Sequence, residues 1–247
     1  MTLPRFLVGP GALSGQDVGA RVLLDGAEGR HAVTVRRVSV GERIELTDGA
    51  GTVARGSVAA VARDRLELAV EALHREPAPT LRFTLAQALA KGGRDELAVE
   101  CATELGVDAV VPWQAARSVV VWSADRAERG RARWLATVAS AAKQSRRAWL
   151  PQVELARDTT ALVSRIGEAA LALVLHEDAE QPLTGVALPG TGEVLLVVGP
   201  EGGIDDAELG RLTAAGATAV RLGSSVLRSS TAGAAALAVL SARVGRW

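Results

Sequence analysis

The residues with the clearest capacity for chemistry lie between positions 193 and 232. An unbroken apolar run, residues 194–198, reads as a strand buried on both faces. It stops at Gly199-Pro200-Glu201-Gly202-Gly203. Glycines there permit positive φ and let a ligand approach the backbone closely. A helix is expected at once, with Asp205 as N-cap, Glu208 at capping-box spacing, Leu209 and Leu212 on its apolar stripe and Gly216 at its end. Residues 219–222 read as a second buried strand, which also stops at a glycine, Gly223. A loop follows over 224–229, and then a helix of small residues over about 230–243. Two consecutive strands that each open a glycine loop at their C-terminal ends point to a ligand site, because ligands of open α/β sheets bind there.

The ligand class is narrowed by what the loops lack. No Gly-Lys-Ser/Thr follows the glycines, so this is not a P-loop, and they do not fall as a dinucleotide fingerprint. The loop offers a carboxylate, Glu201, and free backbone groups. These suit an adenine edge, ribose hydroxyls or a cationic centre better than a triphosphate. Cys101 is the single cysteine, so a disulfide within the chain is excluded. His31, His74 and His176 show no metal-ligand spacing. With 28 basic and 28 acidic residues, net charge does not decide for or against nucleic acid. No apolar run reaches membrane-spanning length and no signal peptide is read, so a soluble cytoplasmic protein without a membrane partner is expected.

The elements that must position these loops begin upstream. A strand over 81–88 leads through Lys91-Gly92-Gly93-Arg94 into a helix over 95–105, closed by Gly106. Glu96, Glu100 and Glu104 share one helix face, read as solvated or salt-bridged, while Leu97, Cys101 and Leu105 are expected to face the core. A strand over 108–113 follows. Between Trp113 and Trp149 basic residues, Arg117, Lys143, Arg146 and Arg147 among them, outnumber Asp125 and Glu128. Trp113, Trp122, Trp134 and Trp149 are interleaved with them. Such a mixture can neutralise phosphates and stack on unpaired bases, although Trp134, in a helix over 126–145, is expected in the core. A helix over 159–166 and a strand over 171–175, ending at His176-Glu177, complete the middle. Before residue 74 short strands are read over 5–8, 20–24, 43–47, 52–61 and 65–72, with a short helix over 28–36. The glycine turns between them suggest a small barrel. Residues 74–80, with two prolines and no periodicity, read as a linker.

The GPEGG loop with its capped helix, followed by Leu222-Gly223, Val226-Leu227-Arg228 and Ser230-Thr231-Ala232, resembles the SPOUT class of RNA methyltransferases, and within it the RsmE family. Other segments extend the resemblance over most of the chain. Residues 31–37 look like the family's H...VLR segment, with Arg37 at the arginine position and Arg36 where leucine is usual. Arg5 matches too. Glu96 and residues 104–107 match an E...KatELGV helix, with Cys101 where lysine is usual. Residues 142–146 look like A.EQS.R, with Lys143 in place of glutamate. Residues 175–177 look like an LHE-type segment.

The resemblance implies an α/β SPOUT methyltransferase domain over 81–247, with a parallel sheet and a C-terminal trefoil knot. A PUA-like RNA-binding β-barrel over 1–73 would precede it. It implies S-adenosylmethionine as cofactor, bent through three loops: Leu175, His176 and Glu177; Val198 with Gly199, Pro200, Glu201, Gly202 and Gly203; and Leu222, Gly223, Val226, Leu227, Ser229 and Thr231. The implied activity is methylation of N3 of a specific uridine in 16S rRNA, on the assembled 30S subunit, by a homodimer. Uracil N3 must lose its proton as it attacks, and charge spreads to the carbonyl oxygens. Arg228, beside the Gly223 loop, is the catalytic candidate that would stabilise this charge, with a salt bridge to Glu201 as its structural alternative. Arg5, Arg36, Arg37, Arg117, Gln144 and Arg146 are candidate RNA contacts. Competing readings are a nucleotide-dependent enzyme of Rossmann type, a non-catalytic RNA-binding protein and a SPOUT ribose 2′-O-methyltransferase.

Overall fold

The computed structural model describes residues 3–247, apart from the side chain of Ala124. The chain divides into two compact units. The first runs to Ala78 and takes in Ala142–Leu150; the second comprises Pro79–Ala141 and Pro151–Trp247. The 142–150 segment was expected with the C-terminal domain.

The first unit is built on β1 (Arg5–Leu7), β2 (Arg21–Leu24), β3 (Arg43–Thr47), β4 (Thr52–Val61) and β5 (Leu66–Arg75). They form one PUA-like sheet in the order β1-β3-β4-β5-β2. β1 runs parallel to β3 and the other pairs are antiparallel. Alternation along these strands sends Phe6, Val22, Leu24, Ile44, Leu46, Leu66 and Leu68 into one core. The expected helix over 28–36 is a short α1 (Gly26–Arg30) continued by a π-helical turn (His31–Val35). β5 runs on through His74 and Arg75, because Arg75 still pairs with Thr52. The chain therefore leaves the sheet two residues later than proline content alone suggests.

The second unit contains β6 (Leu81–Ala88), α2 (Arg94–Glu104), β7 (Ala109–Gln114), most of α3 (Ala124–Gln144), β8 (Gln152–Val153), β9 (Arg157–Asp158) and α4 (Thr159–Glu168). β10 (Leu171–Leu175), β11 (Gly192–Val198), α5 (Asp206–Ala214), β12 (Thr218–Val220) and α6 (Ser229–Arg243) follow. The sheet order is β12-β10-β11-β6-β7-β8, with β9 also on β7, and every pairing is parallel. β11 lies between β10 and β6, and Val194, Leu195, Leu196, Val197 and Val198 are all buried. That is why its sequence is an uninterrupted apolar run rather than an alternating one. A parallel sheet puts the C-terminal ends of β10, β11 and β12 along one edge, so the loops after them converge.

α2 corrects an expectation. Its buried face carries Asp95, Ala98, Val99, Ala102 and Thr103. Leu97 is exposed, and Cys101 and Leu105 are half-buried. α2 packs against α6, whose buried face joins the small Ala232, Gly233 and Ala236 to Leu237 and Leu240. Close helix approach favours small residues, so alanine rather than leucine marks the interior side here. Gly233 sits close to β6: a Cβ there would lie 3.0 Å from Leu85 Cδ1. The small residues of α6 are thus used within the chain. The acidic stripe behaves as read, with Glu96 in a salt bridge to Arg133 at 2.8 Å.

Candidate active site

The loops that follow β10, β11 and β12 enclose a cavity of about 410 Å³. Its walls include Leu175, His176 and Glu177 from the first loop, and Val198, Gly199, Pro200, Glu201 and Gly203 from the second. Val226, Leu227, Arg228 and Ser229 come from the third. A smaller adjoining space of about 90 Å³ is lined by Leu222, Gly223 and Ser224, and shares His176 and Val226 with the first. Gly202 and Thr231 line neither space. The rest of the expected cofactor residues are therefore brought together from stretches up to about 50 positions apart.

Local chemistry explains how the loops are held. Asp205 caps α5 as expected, its carboxylate accepting from the Glu208 backbone N–H at 2.8 Å. Glu208 does not complete the capping box. Its side chain is buried and accepts from the Ala116 N–H at 3.0 Å and from the Thr159 hydroxyl. It thereby ties the helix after the GPEGG loop to the loop after β7 and to α4. Gly203 has a φ of +72°, and at Gly199 a Cβ would lie 2.7 Å from Ile204 Cγ1, so glycine is required at both for different reasons. Arg117 donates to the Gly202 carbonyl at 3.0 Å; this candidate RNA contact braces the cofactor loop. Gln114 closes the neck of the same segment, donating to the Val120 carbonyl at 3.0 Å and accepting from the Trp122 N–H at 3.0 Å.

Glu201 pairs with Arg94 at 3.0 Å rather than with Arg228. Arg94 is the first residue of α2 and also lines the cavity. Arg228 is exposed at the N-cap position of α6, where its carbonyl accepts from the Thr231 and Ala232 N–H groups. Arg228 is also one of the residues that line the cavity. Ser229 is buried and does two jobs: its hydroxyl donates to the Gly199 carbonyl at 2.7 Å and accepts from Gln87 Nε2 at 2.9 Å. Gln87, fully buried at the end of β6, locks α6 to the GPEGG loop through Ser229. His176 Nδ1 accepts from the Asp178 N–H at 3.3 Å, which turns the first loop.

Among the residues of this site that the sequence reading does not single out are Arg94, Gln87, Ile204 and Ala232. Gln87 carries a usable signal, a lone amide between alanines in the apolar half of β6. Arg94 follows two glycines at a helix start, but its partner is 107 positions away.

Two of the four interleaved tryptophans are closed to base stacking. Trp113 and Trp134 are fully buried. Trp113 Nε1 donates to the Thr159 hydroxyl at 3.3 Å, and Trp122 packs edge-on against Trp134 at 5.7 Å. Trp149, half-buried in the first unit, donates to the Glu76 carbonyl at 3.1 Å. Of the remaining candidate RNA contacts, Arg36, Arg37 and Gln144 are exposed. Arg5 and Arg146 meet at Glu45 inside the first unit.

A parallel α/β sheet with a ligand cavity at its C-terminal edge, joined to a PUA-like sheet, defines an RNA-modifying enzyme architecture. Family models agree: one for the RNA methyltransferase domain matches residues 76–241, and one for the RNA methyltransferase PUA domain matches residues 24–71. The chain is 48% identical to ribosomal RNA small subunit methyltransferase E of Mycobacterium tuberculosis, over 94% of this chain and 90% of that one. It is 31% identical to the Bacillus subtilis protein of the same name, over 88% of each chain. The crystal structure of the Neisseria gonorrhoeae methyltransferase E bound to S-adenosyl methionine matches with a TM-score of 0.85 at 29% identity, covering 98% of both chains. The chain belongs to the ribosomal RNA small subunit methyltransferase E family.

Proposed function

We propose that the protein transfers a methyl group from S-adenosylmethionine to N3 of a uridine in 16S rRNA, acting on the assembled 30S subunit in the cytoplasm. The observation that carries this reading is the three-loop cavity with Arg228 at its wall. Its volume, about 410 Å³, lies within the range of small-molecule sites. Leu175, Val198, Val226 and Leu227 offer apolar surface for an adenine ring, and the loop backbones offer groups for its edge. Glu177 and Glu201 supply carboxylates for ribose hydroxyls or a cationic centre. The residues present therefore fit the cofactor.

When bound, S-adenosylmethionine supplies an electrophilic methyl group on a sulfonium, transferred by in-line displacement. The chain's part is to align two reactants and to stabilise the charge that develops. Ser229, Gln87, Arg94 and Arg117 hold the GPEGG loop and so fix the cofactor's position. Arg228, an exposed residue that lines the cavity, stabilises the negative charge that spreads over the uracil carbonyl oxygens as N3 loses its proton. Arg36, Arg37 and Gln144 contact RNA from exposed positions. The threading of the last strands and α6 into a trefoil knot belongs to the same reading.

The test is methylation of 30S subunits lacking base modifications with labelled S-adenosylmethionine, followed by nucleoside mass spectrometry. 3-Methyluridine is expected; label on a ribose would assign the enzyme to the 2′-O branch instead. Arg228→Ala is expected to lower kcat about 100-fold or more, as for loss of one oxyanion donor, with cofactor Kd little changed. Equal losses in both would make Arg228 a binding residue.

A homodimer is part of the proposal. Val119, Val121, Val226 and Leu227 are exposed apolar side chains, and all lie on loops that follow C-terminal strand ends of the same sheet. Sedimentation should give the mass of two chains; the mass of one would refute the dimer.

A further inference from the structure

The first unit holds a cavity of its own, about 430 Å³ in volume. Strand register builds it. Arg5 of β1 and Arg55 of β4 both lie directly opposite Glu45 of β3, so the three side chains form a row across three strands. Arg146, from the 142–150 segment, completes the group. Glu45 is 1% exposed. Its Oε1 accepts from Arg55 Nε at 3.2 Å and Nη2 at 2.7 Å. Its Oε2 accepts from Arg5 Nε at 3.0 Å and Nη2 at 2.8 Å, and from Arg146 Nη2. A carboxylate has about four lone-pair positions, and here five N–H groups converge on it. The carboxylate is saturated, yet it neutralises only one of three guanidiniums.

The excess charge faces open space. Arg5 is nearly enclosed, but the side chains of Arg146 and Arg55 are 33% and 53% exposed. Arg55 Nη1 has no partner among the described residues. Glu76 also lines the cavity, so its wall carries three positive charges against two negative ones, with His74 alongside. Two backbone features aim the arginines. The β4–β5 register shifts between Arg55 and Gly56, a bulge of the kind that redirects a side chain. Gly56 is required there, since a Cβ would lie 1.9 Å from the Ala69 carbonyl oxygen. Arg146 has a φ of +61°, a conformation that a non-glycine residue keeps only when its surroundings enforce it. The Arg5 guanidinium, which donates to the Arg146 carbonyl, does so.

Guanidiniums already oriented by a buried carboxylate bind an oxyanion without first losing side-chain freedom. Their fork geometry matches phosphate oxygens. Val53 and Leu73 add apolar wall for a nucleoside. We propose that this cavity is a phosphoryl-binding site that takes one nucleotide unit, held by Arg55 and Arg146 with Glu45 as their positioning residue. The choice of RNA as the source of that nucleotide rests on the rRNA reading above; the phosphoryl site itself does not.

The experiment is calorimetric titration of the full chain with single-stranded oligouridylate and, separately, with uridine 5′-monophosphate, across a salt series. Three variants are compared with the parent: Arg55→Gln, Arg55→Lys, and Arg43→Gln as a control. Arg43 is on β3, and its exposed pair with Glu71 lies outside the cavity. Arg55→Gln is expected to weaken oligouridylate about tenfold and to lower the salt slope by about one. Arg55→Lys should fall between parent and Arg55→Gln, and Arg43→Gln should match the parent. If uridine 5′-monophosphate alone is bound, and is weakened by Arg55→Gln, the site takes a free nucleotide and the RNA source is wrong. Equal affinities for Arg55→Gln and Arg43→Gln on both probes overturn the site, whether or not the protein methylates RNA.

Discussion

Two buried carboxylates, one in each unit, are paired with arginine in opposite ways. Glu193 opens β11 and is 7% exposed. Arg165 of α4 donates to it at 2.6 Å, and the Thr84 hydroxyl of β6 donates to the same oxygen. Arg165 also reaches Glu154 at 3.3 Å and Glu168 at 3.9 Å, while Arg157 pairs with Glu154 at 3.0 Å. With the charge of Arg82 also acting on Glu193, acids and bases balance here, and the central pair is closed to solvent. This network lies at the N-terminal end of the strand whose C-terminal end carries the GPEGG loop. Around Glu45 the balance is lost, with three arginines on one acid and two of them open to a cavity. In both cases burial pushes the carboxyl pKa up. Hydrogen bonds and charge from the arginines, with Thr84 helping at Glu193, outweigh it and hold each below the ordinary carboxylate range. The hydrogen bond that Arg165 donates to Glu193 leads the causes that raise the Arg165 pKa, against the opposing effect of burial. A buried ion pair is therefore not in itself a site. An excess of one charge, held rigid and facing open space, is what separates the Glu45 cluster from the Glu193 cluster.

That contrast can be broken by mutation. Glu193→Ala removes the shortest partner of the buried Arg165, leaving only the longer contacts to Glu154 and Glu168, and should cost about 3 kcal/mol in denaturant unfolding. Glu45→Ala should cost less, about 1–3 kcal/mol, because Arg55 and Arg146 can turn outward to water and the nearly enclosed Arg5 keeps its bond to the Arg146 carbonyl. Equal losses would show that the two clusters are the same kind of structure. Acid unfolding gives a smaller, shared effect. A carboxylate whose folded pKa is depressed contributes stability that is full above its unfolded value, near 4.5, and is lost as pH falls through the folded value. Stability should thus hold down to about pH 4.5 and decline below it. Glu193→Gln should flatten that decline, and an unchanged acid limb would remove Glu193 from the account.

Some of this was legible in the sequence for identifiable reasons. β3, β4, β6 and β10 are visible because strand-length apolar or alternating runs are bounded by turn residues. Asp205 as a cap is legible because its partner is three residues away. Glu208 was misread because its partners, Ala116 and Thr159, are 92 and 49 positions distant. The interior face of α2 was misread because helix–helix contact selected alanines over leucines. Arg5 and Arg146 stood out as basic residues, but nothing local shows that a single glutamate on another strand holds both.

What the sequence determined by itself is the alternation of elements, the glycine loops after β11 and β12, and the residue types available for a cofactor. These follow from local backbone preference and from the period of apolar residues, which need no knowledge of distant partners. The tertiary structure alone decided which charges meet. It paired Arg94 rather than Arg228 with Glu201, turned Glu208 inward, and gathered Arg5, Arg55 and Arg146 around Glu45. Each outcome depends on strand order and register. Those come from burying the whole sheet at once, and no short stretch of chain encodes them.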